Sequence, residues 1–183
     1  MSHKRLILLA IVAGLAGLFA SFYWQDIDEP PPPPPMELPP AVQLEQLPAF
    51  SYPDLSGKLR HASEWNDKVL VLNFWATWCP PCREETPLFV ALQEEYRSKG
   101  VQFVGLAIDD HDAVEAFTDT YGVDYPMLLG DMSAMELGRQ LGNRFGALPY
   151  TLIVAPGGKI VVRHAGGMKR GQIEPLLKQL IAR

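Results

Sequence analysis

The seven residues Val69-Leu70-Val71-Leu72-Asn73-Phe74-Trp75 are almost continuously apolar, and such a run makes a stable strand only when both of its faces are covered. A chain that contains it must place a layer on each side of a sheet. The flanking patterns supply those layers. Residues 80–98 carry Phe89, Leu92 and Tyr96 at helical spacing, with Pro87 expected to kink the helix. Val101 to Ile108 reads as a second buried strand, Ala113 to Tyr121 as a helix with Val114, Phe117 and Tyr121 on one face, and Tyr125 to Leu129 as a short strand. Ala134, Leu137 and Leu141 mark another helical stripe. Tyr150 to Val154 and Lys159 to His164 form an antiparallel hairpin through Pro156-Gly157-Gly158, and Ile173, Leu176, Leu177, Leu180 and Ile181 close the chain as an amphipathic helix. Upstream, Phe50 to Leu55 and Lys58 to His61 flank Ser56-Gly57 as a small N-terminal β-hairpin. This order predicts an α/β fold, a three-layer sandwich with helices on both faces of a mixed central sheet.

Both cysteines of the chain, Cys79 and Cys82 in Trp78-Cys79-Pro80-Pro81-Cys82, fall where the strand pattern gives way to the helical one. Two cysteines separated by two residues can close a small disulfide at the first turn of a helix, where unpaired N–H groups favour a thiolate. That placement reads as a redox couple. A purely stapling bridge is the alternative, but so small a ring removes little chain entropy. Half of a zinc site is another, yet neither a second CxxC nor a helical histidine pair completes four ligands.

Net charge is −5 over 183 residues, which argues against a nucleic-acid partner that needs a basic face. The first residues behave differently from the rest. His3-Lys4-Arg5 precedes an uncharged apolar run from Leu6 to Tyr23, and Asp26, Asp28 and Glu29 follow it. Positive charge before such a run and acid after it orient residues 1–24 as a membrane anchor, with the rest of the chain outside the cytoplasmic membrane. A cleaved signal peptide is the rival, but Leu18-Phe19-Ala20 puts a large residue at the wrong place for small-x-small cleavage. Residues 25–44 read as a linker, because Pro30 to Pro35 are consecutive prolines and Pro39-Pro40 repeat the theme. Extended at about 3.1 Å per residue, Glu29 to Pro40 would span about 35 Å. The folded domain is expected over residues 45–183.

The run Val71 to Pro87, with its Trp78-Cys79-Pro80-Pro81-Cys82 centre, together with Gly146-Ala147-Leu148-Pro149, resembles the membrane-anchored thioredoxin-like proteins of the TlpA and ResA type. The likeness covers about residues 45 to 183. It implies a thioredoxin-like fold in which the segment Asp112 to Tyr121 is an inserted helix. It implies a thiol:disulfide oxidoreductase that needs no cofactor and no metal. Cys79 is then the exposed nucleophile, and Cys82 the thiol that resolves a mixed disulfide. Pro149 resembles the cis-proline facing the disulfide, leaving the backbone of Leu148 to pair with an extended substrate. Glu85, three residues after Cys82, resembles the active-site glutamate of the ResA branch and is expected to tune thiol ionisation. Trp78, Pro80, Pro81 and Leu148 are the expected substrate contacts. Asn73 departs from cytoplasmic thioredoxins, which carry a buried acid at that distance before the first cysteine, so acid/base help is expected from elsewhere.

Pro80 and Pro81 lack N–H groups that would stabilise a thiolate at the helix start, which predicts a reductant rather than an oxidase. The family implies substrate proteins with disulfides or thiols, apocytochrome c among them in cytochrome c maturation, and a transmembrane thiol-disulfide electron donor. A thiol peroxidase, a disulfide-forming oxidase or a copper-delivery protein of the same fold are the alternatives. His164 could join the cysteines around copper, but copper carriers space their cysteines by three. Asp109, Asp110, His111 and Asp112 cluster at a strand end, where a helix cap by Asp110 or Asp112 explains the acids without a metal. Trp75 and Trp78 are expected to pack the strand and shield the disulfide, with Trp78 partly exposed as a contact surface for partners.

Overall fold

The computed structural model describes residues 44–182 and His3; the rest of the expected anchor, the proline-rich linker up to residue 43 and Arg183 lie outside the described residues. Among the described residues no helix is long and apolar enough to cross a membrane. Strands β1 (Ser51–Pro53) and β2 (Leu59–His61) form the small hairpin. The main elements follow in the order β3 (Val69–Trp75), α1 (Pro80–Tyr96), β4 (Val101–Ile108), α2 (His111–Tyr121), β5 (Met127–Gly130), α3 (Met132–Gln140), β6 (Tyr150–Val154), β7 (Ile160–Ala165) and α4 (Arg170–Ile181).

The sheet runs β5-β4-β3-β6-β7, with β3, β4 and β5 parallel and β6 and β7 antiparallel. Every residue of β3 is buried, and the pleat divides them between two cores. Val69, Val71 and Trp75 join Phe89 and Leu92 of α1, Val114 and Phe117 of α2, and Ile173 and Leu177 of α4. Leu70, Leu72 and Phe74 join Ala134 and Leu137 of α3. The fold is thus the three-layer, thioredoxin-like α/β sandwich with four helices around a mixed sheet.

Several boundaries differ from the sequence reading by one or two residues, and three of them show how an element starts or stops. Strand β5 begins at Met127 rather than Tyr125, because Pro126 has no N–H for the ladder and offers only its carbonyl, to the Gly105 N–H. Helix α2 begins at His111, with Asp110 as its N-cap by position but without a capping bond from its side chain. Helix α1 gives way after Tyr96 to a short 3-10 turn, Arg97–Lys99, which Gly100 ends at a φ of 84°.

Candidate active site

Strands β3 and β4 run side by side to Trp75 and Ala107, so the loop after β3 opens at the carboxyl edge of the parallel strands, where open α/β sheets place their sites. Antiparallel β6 starts at that same edge, since Tyr150 pairs with Phe74. This topology brings two distant segments together: the Cys79 motif at the start of α1, and the Leu148–Pro149 step before β6. The Leu148–Pro149 peptide is cis, and Pro149 is buried.

Cys79 is the N-cap of α1 and is disulfide-bonded to Cys82, with the two Cα atoms 5.3 Å apart. Pro80 and Pro81 occupy the first two helical positions, where a missing N–H removes no helical bond. The first bond of the helix that spans the motif runs from the Arg83 N–H to the Cys79 carbonyl. One expectation is corrected here. Cys79 is only 3% exposed, not open at the helix start, because the bond to Cys82 draws it onto a residue whose helix face belongs to the core. The open positions are its neighbours Trp78, 66% exposed, and Pro80. Trp75 is the buried one of the pair and Trp78 the exposed one, as expected of a side chain that offers a contact surface.

Glu85 lies one turn after Cys82 and is buried. Both of its oxygens accept hydrogen bonds: Oε1 from the Asn73 side-chain amide at 3.0 Å, and Oε2 from the Met168 N–H at 2.9 Å. Burial pushes the Glu85 carboxyl up to about 7, against the opposing pull of the Met168 N–H and the Asn73 amide. Tyr125, also buried, has its phenol raised by burial and further by the charge of Glu85. Asn73 donates a second bond to the Thr151 hydroxyl at 3.0 Å, so strand β3, helix α1 and the segment before α4 meet at this one carboxyl, and Asn73 ties strand β6 to it. Sequence reasoning missed this partnership. Its signal was a polar residue inside an otherwise apolar buried strand, which has to find a hydrogen-bond partner within the fold.

The loop between β3 and α1 is fixed from below by Asp109, at the end of β4. Its Oδ2 accepts both the Thr77 N–H and the Thr77 hydroxyl, and its Oδ1 accepts the Asp110 N–H. Burial works against the Asp109 charge, but these donors outweigh it and hold the carboxyl below its usual range. The acid that explains the cluster is therefore Asp109, and its task is to hold the motif loop rather than to cap a helix. His111 meets the Leu55 carbonyl and Asp112. His164 stands opposite Thr151 on β7, and among the described residues no group of three or more His, Cys, Asp or Glu side chains could hold a metal ion.

The model of the Redoxin family matches residues 43–181. The chain is 32% identical over 139 residues to the thiol-disulfide oxidoreductase ResA of Bacillus thuringiensis (strain Al Hakam), covering 74% of this chain and 77% of that protein. It is 35% identical over 137 residues to the thioredoxin-like protein YneN of Bacillus subtilis (strain 168), covering 73% and 77% of the two chains. Among solved structures, a thiol:disulfide interchange protein of the thioredoxin family from Chlorobium tepidum TLS superposes with a TM-score of 0.66 at 27% identity, over 74% of this chain and 95% of that one. With a cysteine pair joined at the head of a helix and relatives that carry out thiol-disulfide exchange, this chain belongs to the Redoxin family, as a thioredoxin-like thiol-disulfide oxidoreductase of the TlpA and ResA type.

Proposed function

We propose that the chain is an extracytoplasmic reductant of protein disulfides, tethered to the bacterial cytoplasmic membrane by residues 1–24 and held away from it by the spacer of residues 25–44. The observation that carries the reading is the Cys79–Cys82 disulfide at the head of α1, with prolines at both following positions and Glu85 buried one turn on. In the reduced enzyme the Cys79 thiolate attacks one sulfur of a substrate disulfide, forming a mixed disulfide and expelling the other substrate sulfur as a thiolate. That thiolate takes a proton from water. Cys82 then gives its proton to Glu85 and attacks the Cys79 sulfur, closing the ring and releasing the second substrate thiolate. Two electrons pass to the substrate, and a transmembrane thiol-disulfide donor restores the dithiol.

Cys79 is the nucleophile in this scheme and Cys82 the resolving thiol, while Pro149 closes the far side of the site. Trp78, Pro80, Pro81 and Leu148 receive the substrate. Direction follows from the helix start: without N–H groups on Pro80 and Pro81 the thiolate is less stabilised, and the disulfide is favoured. Disulfides of apocytochrome c are the substrates that the family likeness favours. A reduction potential of the full-length chain near about −250 mV supports the reading, and one near about −120 mV refutes it. Cys82→Ser should trap substrate proteins as mixed disulfides on Cys79, and Cys79→Ser should trap none.

A further inference from the structure

A groove of about 350 Å³ beside the disulfide is lined by Trp78, Pro80, Arg83, Glu84 and Tyr121. Four of these residues belong to the motif and the first turn of α1. The fifth does not: Tyr121 ends α2, the helix inserted between β4 and β5. The exchange chemistry itself does not call for a residue there.

Tyr121 is backed by a stack of aromatic rings. It lies on Phe117 at 4.2 Å with planes 19° apart, and Phe117 packs at 4.6 Å against buried Trp75. The Tyr121 wall is therefore rigid, while Trp78 contributes an open indole face. Among the described residues neither Arg83 nor Glu84 has an ion-pair partner, and the two charges are opposite in sign, so the groove selects no net charge. What remains to discriminate between occupants is flat apolar surface.

The bond being made brings a substrate chain to the groove. A substrate sulfur joined to Cys79 holds the neighbouring Cα about 3.8 Å along its own chain, so the side chain next to the substrate cysteine comes within reach of the residues next to Cys79. Those are Trp78 and Pro80, both in the groove. Resting on the reading of the chain as a disulfide reductant, we propose that Trp78 and Tyr121 clasp an aromatic side chain adjacent to the substrate cysteine, making the inserted helix a specificity element.

The test uses the full-length reduced chain and two disulfide peptides that differ only in Phe or Ala beside the cysteine. The Phe peptide should have a kcat/KM about fivefold higher, the scale of an aromatic pair. Tyr121→Ala should bring that ratio close to one, and Tyr121→Phe should restore it. Trp78→Ala, which truncates an exposed side chain and opens no cavity in the core, should abolish the ratio independently. A wild-type ratio of one, or a ratio that survives both truncations, overturns the proposal. Failure of the wild-type chain to reduce either peptide overturns the reductant reading, and this proposal with it.

Discussion

Glu85 concentrates the chemistry of the site in one carboxyl. Raised to about 7 by burial, it changes charge in the range where thiols begin to ionise, and its negative form opposes a thiolate one turn away on Cys82. In the reduced enzyme, Glu85→Gln should therefore move the pH profile of thiol alkylation to lower pH, and an unmoved profile would show that the two groups do not interact. The same shift has a stability consequence. A carboxyl whose folded pKa lies above its unfolded value contributes fully below about 4.5 and loses that contribution as pH rises through about 7. The loss is on the order of 3 kcal/mol, so the stability of Glu85→Gln in urea should fall less than that of wild type between pH 5 and pH 8. Asn73 governs how well the charged form is tolerated. Asn73→Leu leaves Oε1 without its donor, and should cost about 1–3 kcal/mol at pH 8 but less at pH 5, where the carboxyl is protonated. An equal loss at both values would mean that Asn73 acts only as core packing. The sequence made Glu85 a candidate through its spacing from Cys82, and marked Asn73 only as a departure. Their bond joins residues on β3 and α1 that face each other across a layer, and no one-dimensional pattern encodes that contact.

At the scale of elements, the patterns of period two and 3.6 placed nearly every strand and helix, because β3, β4 and β6 are buried on both faces and the helices carry clean stripes. Legibility failed at the ends, where Pro126 and Asp110 act through backbone hydrogen bonding rather than hydrophobicity. Close approach between elements was equally invisible. Gly105 in the centre of β4 permits it: a Cβ there would lie 2.2 Å from the Met127 sulfur and 2.9 Å from the Trp75 indole nitrogen, so the end of the buried Met127 side chain would have to swing aside and the Trp75 ring to shift. Gly105→Ala should destabilise the domain by about 1–3 kcal/mol, read from the urea midpoint. Asp109 joins elements differently, by tying the end of β4 to the loop that carries Trp78 and Cys79. Asp109→Ala should raise hydrogen exchange at the Thr77 amide and slow substrate reduction, while protection in β4 itself is retained. Uniform loss of protection would place Asp109 in the global fold instead of the loop.

For the whole molecule, the direction of electron flow and the stability of the fold are two views of one thermodynamic cycle. Folding, unfolding, oxidation and reduction connect four states, so a fold that favours its disulfide more than the unfolded chain does is more stable oxidised than reduced. An oxidase has the opposite order, because its folded thiolate is the stabilised species. Pro80 and Pro81 at the head of α1 withhold two donors from that thiolate, and Glu85 adds like charge behind Cys82, so both features of this site press toward the oxidised form. The ring itself contributes only modestly, since closing so short a loop removes about 2 kcal/mol of unfolded-chain entropy. The oxidised full-length chain should accordingly unfold at higher urea than the dithiol form, by about 1–2 kcal/mol, with the gap widening as pH rises through about 7 and Glu85 takes its charge. Parallel urea titrations of the two redox forms at pH 6 and pH 8 measure it. A dithiol form more stable than the disulfide at both values would assign the molecule to disulfide formation, whatever its resemblance to reductants.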